Sequence, residues 1–174
     1  MENFTLTKSL EILSRTPDVL RALLSNLSED WTMINEGPDT WTSFDVLGHL
    51  VHLEKTDWLV RAEVILSEGD KRFEPVNRTV QIKENVGKSL EQLLMEFTEL
   101  RSQNIALLKS KNLQESDMNR TGIHPEFGGV TLAQLLSTWT VHDLTHLSQI
   151  IRVMANHYKT DVGPWIKFLS ILKP

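Results

Sequence analysis

From Leu132 to Tyr158 the chain runs without a glycine or a proline, and its apolar residues recur at helical rather than alternating spacing. At ~100° per residue, Leu132, Leu135, Leu136, Trp139, Leu147, Ile150, Val153 and Met154 share one broad arc. Such a segment cannot settle as a strand, because a period of two would turn many of these residues into water. It starts at Thr131 with Gln134 three residues on, the pattern of a capping box. Three earlier segments show the same periodicity. The first spans about Leu6 to Leu27 and is broken at Thr16-Pro17, where threonine can cap and proline can occupy the first turn of a second piece. The second runs from about Ser43 to Ser67, with Thr42 and Asp45 as its capping box, and Gly69 closes it. The third covers about Lys88 to Lys111, with Leu90, Leu93, Leu94, Phe97, Leu100, Ile105 and Leu108 inward and Lys, Glu, Gln and Arg outward.

Turn residues gather between these segments. They include Glu36-Gly-Pro-Asp39, a polar stretch over 69–87 with a short helix near Val80 to Val86, and Gly122-Ile-His-Pro-Glu-Phe-Gly-Gly129. Pro164 starts a short last helix through Leu172. Four long amphipathic helices, with no run of alternating β-branched residues, predict an all-α four-helix bundle with a short extra C-terminal helix. One domain is expected over 1–174, without strands, since a chain of 174 residues can bury a continuous core.

The chain contains no cysteine, which excludes disulfides, thiolate metal ligands, iron–sulfur clusters and a cysteine nucleophile. Net charge is −5 and the lysines and arginines are scattered among acids, so the footprint of a nucleic-acid binder is missing. No stretch approaches the ~20 apolar residues that span a bilayer, and no basic start leads into an apolar run. The expectation is a cytoplasmic protein with a small-molecule partner, no nucleic acid and no membrane.

Six histidines carry the chemical signal: 49, 52, 124, 142, 146 and 157. His142 and His146 stand one turn apart on the same helix, so two imidazoles can share one ion. His157 is about 16 Å further along at ~1.5 Å per residue, too far to join them. Asp143 falls inside the apolar arc, beside Ile150 and Met154, although the opposite face has room for a charge. A buried carboxylate must meet a cation, a ring N–H or a helix end, and its expected task is to orient a ligand imidazole. A third ligand must come from the second segment, where the helical wheel leaves both His49 and His52 open. Glu54 and Asp57 are expected as solvated ion pairs with Lys55 and Arg61. A zinc-protease reading of His142-Asp-Leu-Thr-His146 fails, because aspartate reaches less far than glutamate and no glutamate follows His146. No Gly-x-Ser-x-Gly turn supports a serine triad.

Three stretches together carry a family likeness: Thr40-Trp41-Thr-Ser-Phe-Asp-Val-Leu-Gly-His49-Leu, Gly129-Val-Thr-Leu-Ala-Gln-Leu-Leu136 and Trp139-Thr-Val-His142-Asp-Leu-Thr-His146-Leu-Ser-Gln149-Ile. In order, and over nearly the whole chain, they resemble the DinB/YfiT-like superfamily. That resemblance implies a four-helix bundle, often a homodimer, holding one divalent metal ion, zinc or nickel, through His49, His142 and His146. It selects His49 over His52 where the wheel could not. Some branches of the superfamily are transferases that attach a low-molecular-weight thiol to an electrophile, and others are described as hydrolases. Trp41, His52, Trp58, His124 and Trp139 are the expected surroundings of the pocket, with His124 either at its mouth or capping a helix. Two functions are therefore carried forward. One is a metal-dependent thiol transferase or hydrolase, in which the ion lowers the pKa of a thiol or a water. The other is a bundle that acts only by binding, as a ligand binder or scaffold.

Overall fold

Each long segment begins where its capping residues place it. In the computed structural model, which describes residues 4–75 and 80–173, Thr42 caps α4 (Ser43–Thr56) and Thr131 caps α8 (Leu132–Asn156), each through the reciprocal box with Asp45 or Gln134. Ser89 and Gln92 form a third such box at the start of α7 (Leu90–Ser110). The first segment divides into α1 (Leu6–Leu13) and α2 (Thr16–Leu24). Short helices α3 (Glu29–Thr32) and α6 (Val80–Glu84) lie in the connections.

The core has two halves. One gathers Leu13, Leu53, Trp58, Leu59, Ala62, Ile65, Ile105, Leu108, Leu132, Leu135, Leu136 and Trp139. The other gathers Leu20, Leu24, Val46, Leu47, Leu50, Val51, Leu93, Leu94, Phe97 and Ile150. Every long helix crosses from one half to the other, and the order in which it meets them gives its direction. α1–α2 and α8 pass from the first half to the second, while α4 and α7 pass the other way. The second and third long helices therefore run parallel, so the chain between them must return along the bundle. That return passes through α6, which packs on α4.

A layer of polar side chains separates the halves. Arg101 on α7 is 1 % exposed. Its terminal nitrogens donate to Asp143 Oδ2 at 2.5 Å and Oδ1 at 2.9 Å, to Glu54 Oε1 at 2.8 Å and to the Leu13 carbonyl at the end of α1 at 2.9 Å. Thr16 donates to Asp143 at 2.7 Å, and Trp139 Nε1 and Asn104 Nδ2 donate to the two oxygens of Glu54 at 3.0 and 2.9 Å. The guanidinium lies 4.8 Å from the Phe97 ring centre and 5.1 Å from that of Trp139. One cation thus ties all four long segments at the waist, and hydrogen bonds fill the carboxylate oxygens that would otherwise make its burial costly.

Several sequence expectations change. The second segment is not continuous: backbone dihedrals of −120° and −74° at Asp57 interrupt it, and α5 (Trp58–Leu66) restarts immediately. Thr16 is not the cap but the first residue of α2, and its hydroxyl is spent on Asp143. Arg101, expected outward with the other polar residues of its helix, is inward. Glu54 is not solvated beside Lys55 but buried against Arg101, because it stands one turn after Leu50 on the inner side of α4 and Trp139 and Asn104 also donate to it.

Strands are present, as a short hairpin of β1 (Thr121–His124) and β2 (Gly128–Thr131), in which Thr121 faces Thr131 and His124 faces Gly128. Phe73 N–H donates to the Ile123 carbonyl and Ile123 N–H to that of Lys71, so the chain after α5 lies along β1. Gly122 is required there: a Cβ would stand 2.5 Å from the Phe73 ring and 2.9 Å from Ile65. The end of the chain forms two 3₁₀ turns, Gly163–Phe168 and Ser170–Leu172, rather than one helix. Among the described residues, no helix is long and apolar enough to cross a membrane.

Arg101→Ala leaves two buried carboxyl groups without their cation and is expected to cost about 3–5 kcal/mol in urea denaturation. Arg101→Met combined with Glu54→Gln and Asp143→Asn is expected to recover much of that loss.

Candidate metal centre

His49 stands in the second turn of α4, and His142 and His146 stand one turn apart at mid-length on α8. Because α4 and α8 pack together at the waist, the three rings meet. His142 Nε2 lies 3.3 Å from His49 Nε2 and 3.0 Å from His146 Nε2. One nitrogen from each ring lies within 4.8 Å of the others, and these residues form, among those described, a group that could hold a metal ion.

Two of the rings have their proton positions set from behind. Gln81 Oε1 accepts from His49 Nδ1 at 2.7 Å, and Gln149 Oε1 accepts from His146 Nδ1 at 2.7 Å. A carbonyl oxygen can only accept, so both protons sit on Nδ1 and both Nε2 lone pairs turn toward His142. Two inward lone pairs beside a third imidazole suit a cation at their centre. Tetrahedral zinc-type bonds of ~2.0–2.1 Å place ligand nitrogens about 3.3 Å apart. The donor set and its spacing fit a divalent ion. His142 Nδ1 is buried and has no hydrogen-bond partner among the described residues, so this ring is held by packing, with Trp58 edge-on at 5.0 Å.

The site opens on a cleft of about 680 Å³. Trp41, Trp58 and His124 line it, together with Asp57, Arg61 and Phe73. Trp41 lies 5.0 Å from the His49 ring and stacks on His146 at 6.5 Å. Its loop is pinned to α8 by Arg152, which donates to both oxygens of Glu36 at 2.7 Å and holds that carboxyl below its usual range. His124 Nδ1 accepts from Glu126 N–H at 3.1 Å and Phe127 N–H at 3.4 Å, so it both lines the cleft and closes the hairpin turn. A second cavity of about 370 Å³, beside α6, contains none of the three histidines.

Other expected site residues fall elsewhere. His52 lies on another side of α4 and meets Glu84 at 3.0 Å. Trp139 is fully buried behind Trp58, its ring stacked at 5.9 Å. His157 packs between Trp31 and Tyr158. Asp143 orients no imidazole through a hydrogen bond: Arg101 and Thr16 take its oxygens, and it acts on His146 through its charge alone. Asp57 does meet Arg61, as expected, but the pair is buried rather than solvated, and burial pushes the Asp57 carboxyl up. Gln81 gives no sign in the sequence, since the return chain alone brings it to His49. Gln149 had one, its i+3 position from His146 on the same helix.

A four-helix bundle with three histidines converging beside an open cleft is the class that this geometry defines. The model of the DinB superfamily matches residues 12–150, and the chain belongs to that superfamily. It is similar to the structure of YfiT from Bacillus subtilis, described as a probable metal-dependent hydrolase with an unusual four-helix bundle topology. The TM-score is 0.74 at 17 % identity, over 92 % of this chain and 91 % of that one. It is also similar to TT2238, described as a four-helix bundle protein, with a TM-score of 0.56 at 20 % identity over 84 % of this chain and 98 % of that one. No curated protein matches the sequence.

Burial, then the neighbouring His146 and His49, lower the pKa of His142 from 6.5 to about 3, and burial lowers that of His146 as well. The unfolded chain therefore takes up protons that the folded, metal-free chain refuses, so His142 removes stability as pH falls from about 6.5 toward 3. Denaturant titrations of metal-free protein across that range are expected to show this loss, and a shallower one in His142→Gln.

Proposed function

We propose that the chain is a metal-dependent enzyme acting on a small molecule, with His49, His142 and His146 as ligands of one divalent ion, zinc or nickel. The observation that carries this is the convergence of three Nε2 atoms, two of them turned inward by glutamine side chains, at the floor of an open cleft. Three neutral imidazoles leave an ion its full charge, and when bound it would lower the pKa of a thiol or a water and polarise a reacting oxygen.

The protein's own residues do the rest. Gln81 and Gln149 keep two protons on the outer nitrogens. Trp41 and Trp58 wall the site and limit the water that reaches it. The apolar surface of the cleft holds the substrate, and its opening admits a second reactant.

The finer reading is transfer of a low-molecular-weight thiol to an electrophile. It rests on the family resemblance and on a chain without cysteine, in which no protein thiol competes for the ion. Hydrolysis is the second reading, favoured by the description of YfiT. A homodimer is part of this proposal, supported by Val141, Leu144 and Ile151, which leave apolar surface exposed along the outer side of α8; a place in the cytoplasm is proposed with it, in keeping with a sequence without cysteine.

Elemental analysis of protein from its native host is expected to give about one zinc or nickel per chain, and His142→Ala to lose it while remaining folded. With metal restored, a panel of thiols and electrophiles is expected to be consumed together. Cleavage of esters or amides without thiol consumption would decide for hydrolysis. Metal-loaded protein inert toward both panels would leave only a binding or scaffold role.

A further inference from the structure

Trp58 and Arg61 stand three residues apart on α5 and so share a side of it, with ~4.5 Å of rise between them. Trp58 touches His142, which places Arg61 about one turn further from the three histidines along the same wall of the cleft. The Arg61 side chain is only 12 % exposed, and its Nε forms an ion pair with Asp57 Oδ1, without an aligned hydrogen bond. Its guanidinium lies over the Phe73 ring, 5.1 Å from the centre. Among the described residues its side chain has no hydrogen-bond acceptor, and Asp57 is its one carboxylate partner. Arg101, by contrast, spends its terminal nitrogens on two carboxyl groups, and Arg152 donates to both oxygens of one carboxylate. A guanidinium fixed by one carboxylate, backed by an aromatic ring and left with free terminal N–H groups in a largely dry wall is built to accept an oxyanion.

Nearby, the His124 Nδ1 lone pair is used by the Glu126 and Phe127 N–H groups, so the neutral ring carries its proton on Nε2 and adds a second donor to the lining. Burial and the charge of Arg61 both hold His124 in that neutral form. The carboxylate of Glu126 is also on the lining, at the exposed hairpin turn.

We propose that Arg61 recognises the anionic group of the substrate, and that the substrate is a small molecule bearing a carboxylate or a phosphate monoester. Its apolar part lies against Trp58 and Phe73, and its reacting end lies at the three histidines, about one helical turn from the anion. This inference rests on the reading of the cleft as the active site. Asp57 is the positioning residue: it holds the guanidinium against Phe73 so that the terminal nitrogens meet the anion.

The test titrates metal-free and metal-loaded full-length protein with phenylacetate, phenyl phosphate and neutral phenylacetamide, followed by tryptophan fluorescence. At least one anion is expected to bind the metal-free protein roughly tenfold or more tightly than the amide, the scale of a charge-assisted hydrogen-bond pair. The tighter anion identifies the group. Asp57→Asn with Arg61→Gln, which removes both charges together, is expected to lose that preference and keep its metal content. Phenylglyoxal modification of the unaltered protein, located by peptide mass, is expected to be blocked at Arg61 by the anion and not by the amide. Equal binding of anion and amide, no anion binding, or anion binding that ignores Arg61 would overturn the inference. Metal content of the same samples, with His142→Ala beside them, keeps the two readings apart: anion recognition through Arg61 by a chain that never holds metal removes only the metal.

Discussion

The waist of the bundle is held by one buried guanidinium. Arg101 reaches the end of α1, Glu54 on α4 and Asp143 on α8 from its place on α7, and Thr16 closes the set from α2. Apolar packing is non-directional and would tolerate many slides of one helix along another. A planar fork with fixed acceptors does not. The register of the four helices, and so the height at which His49 faces His142 and His146, follows from where these polar groups must meet. Burying such a cluster is justified more by uniqueness than by net stabilisation, since apolar replacements of equal volume could be as stable.

The histidines are not part of this layer, although they lie beside it. Trp139 donates to Glu54 and stacks on Trp58, and Trp58 meets His142 edge-on, so the contact between the two is made through aromatic rings. Among the described residues no imidazole hydrogen-bonds to the ion layer, which reaches the histidines otherwise only through the charges of Asp143 and Arg101. The parallel arrangement of α4 and α7 adds a second consequence. The chain that must return between them carries Gln81 to His49 and Glu84 to His52, and Gly48 leaves the space into which Asn85 fits as α6 settles on α4. A connection forced by topology thereby sets the proton position of one of the three converging histidines.

Much of this was legible because it is local. The capping boxes at Thr42 and Thr131 need only residues three apart, and the pairing of His142 with His146 needs only one turn. The inward place of Asp143 could be read from the wheel, but its partner could not, because Arg101 lies 42 residues away on another helix. Arg101 itself had a signal: it stands four residues from both Phe97 and Ile105 on the inner stripe, as Glu54 stands four from both Leu50 and Trp58. Charge outweighed position in reading them as solvated. The hairpin was missed because each strand has four residues and carries glycine in place of an alternating apolar pattern. The choice between His49 and His52 was open to any wheel, since α4 is buried on most sides; family likeness, and then the meeting of rings in space, separated them.

The interruption at Asp57 resets the angular phase of the second long segment. An unbroken helix would lock the direction of Trp58 and Arg61 to that of His49, so any insertion or deletion in α4 would swing both walls of the cleft by ~100° per residue. With the backbone restarted at Trp58, the direction of this second wall is set by the dihedrals of Asp57 as well as by the count of residues from His49. The part that presents His49 and the part that presents Trp58 and Arg61 are thus two helices rather than one.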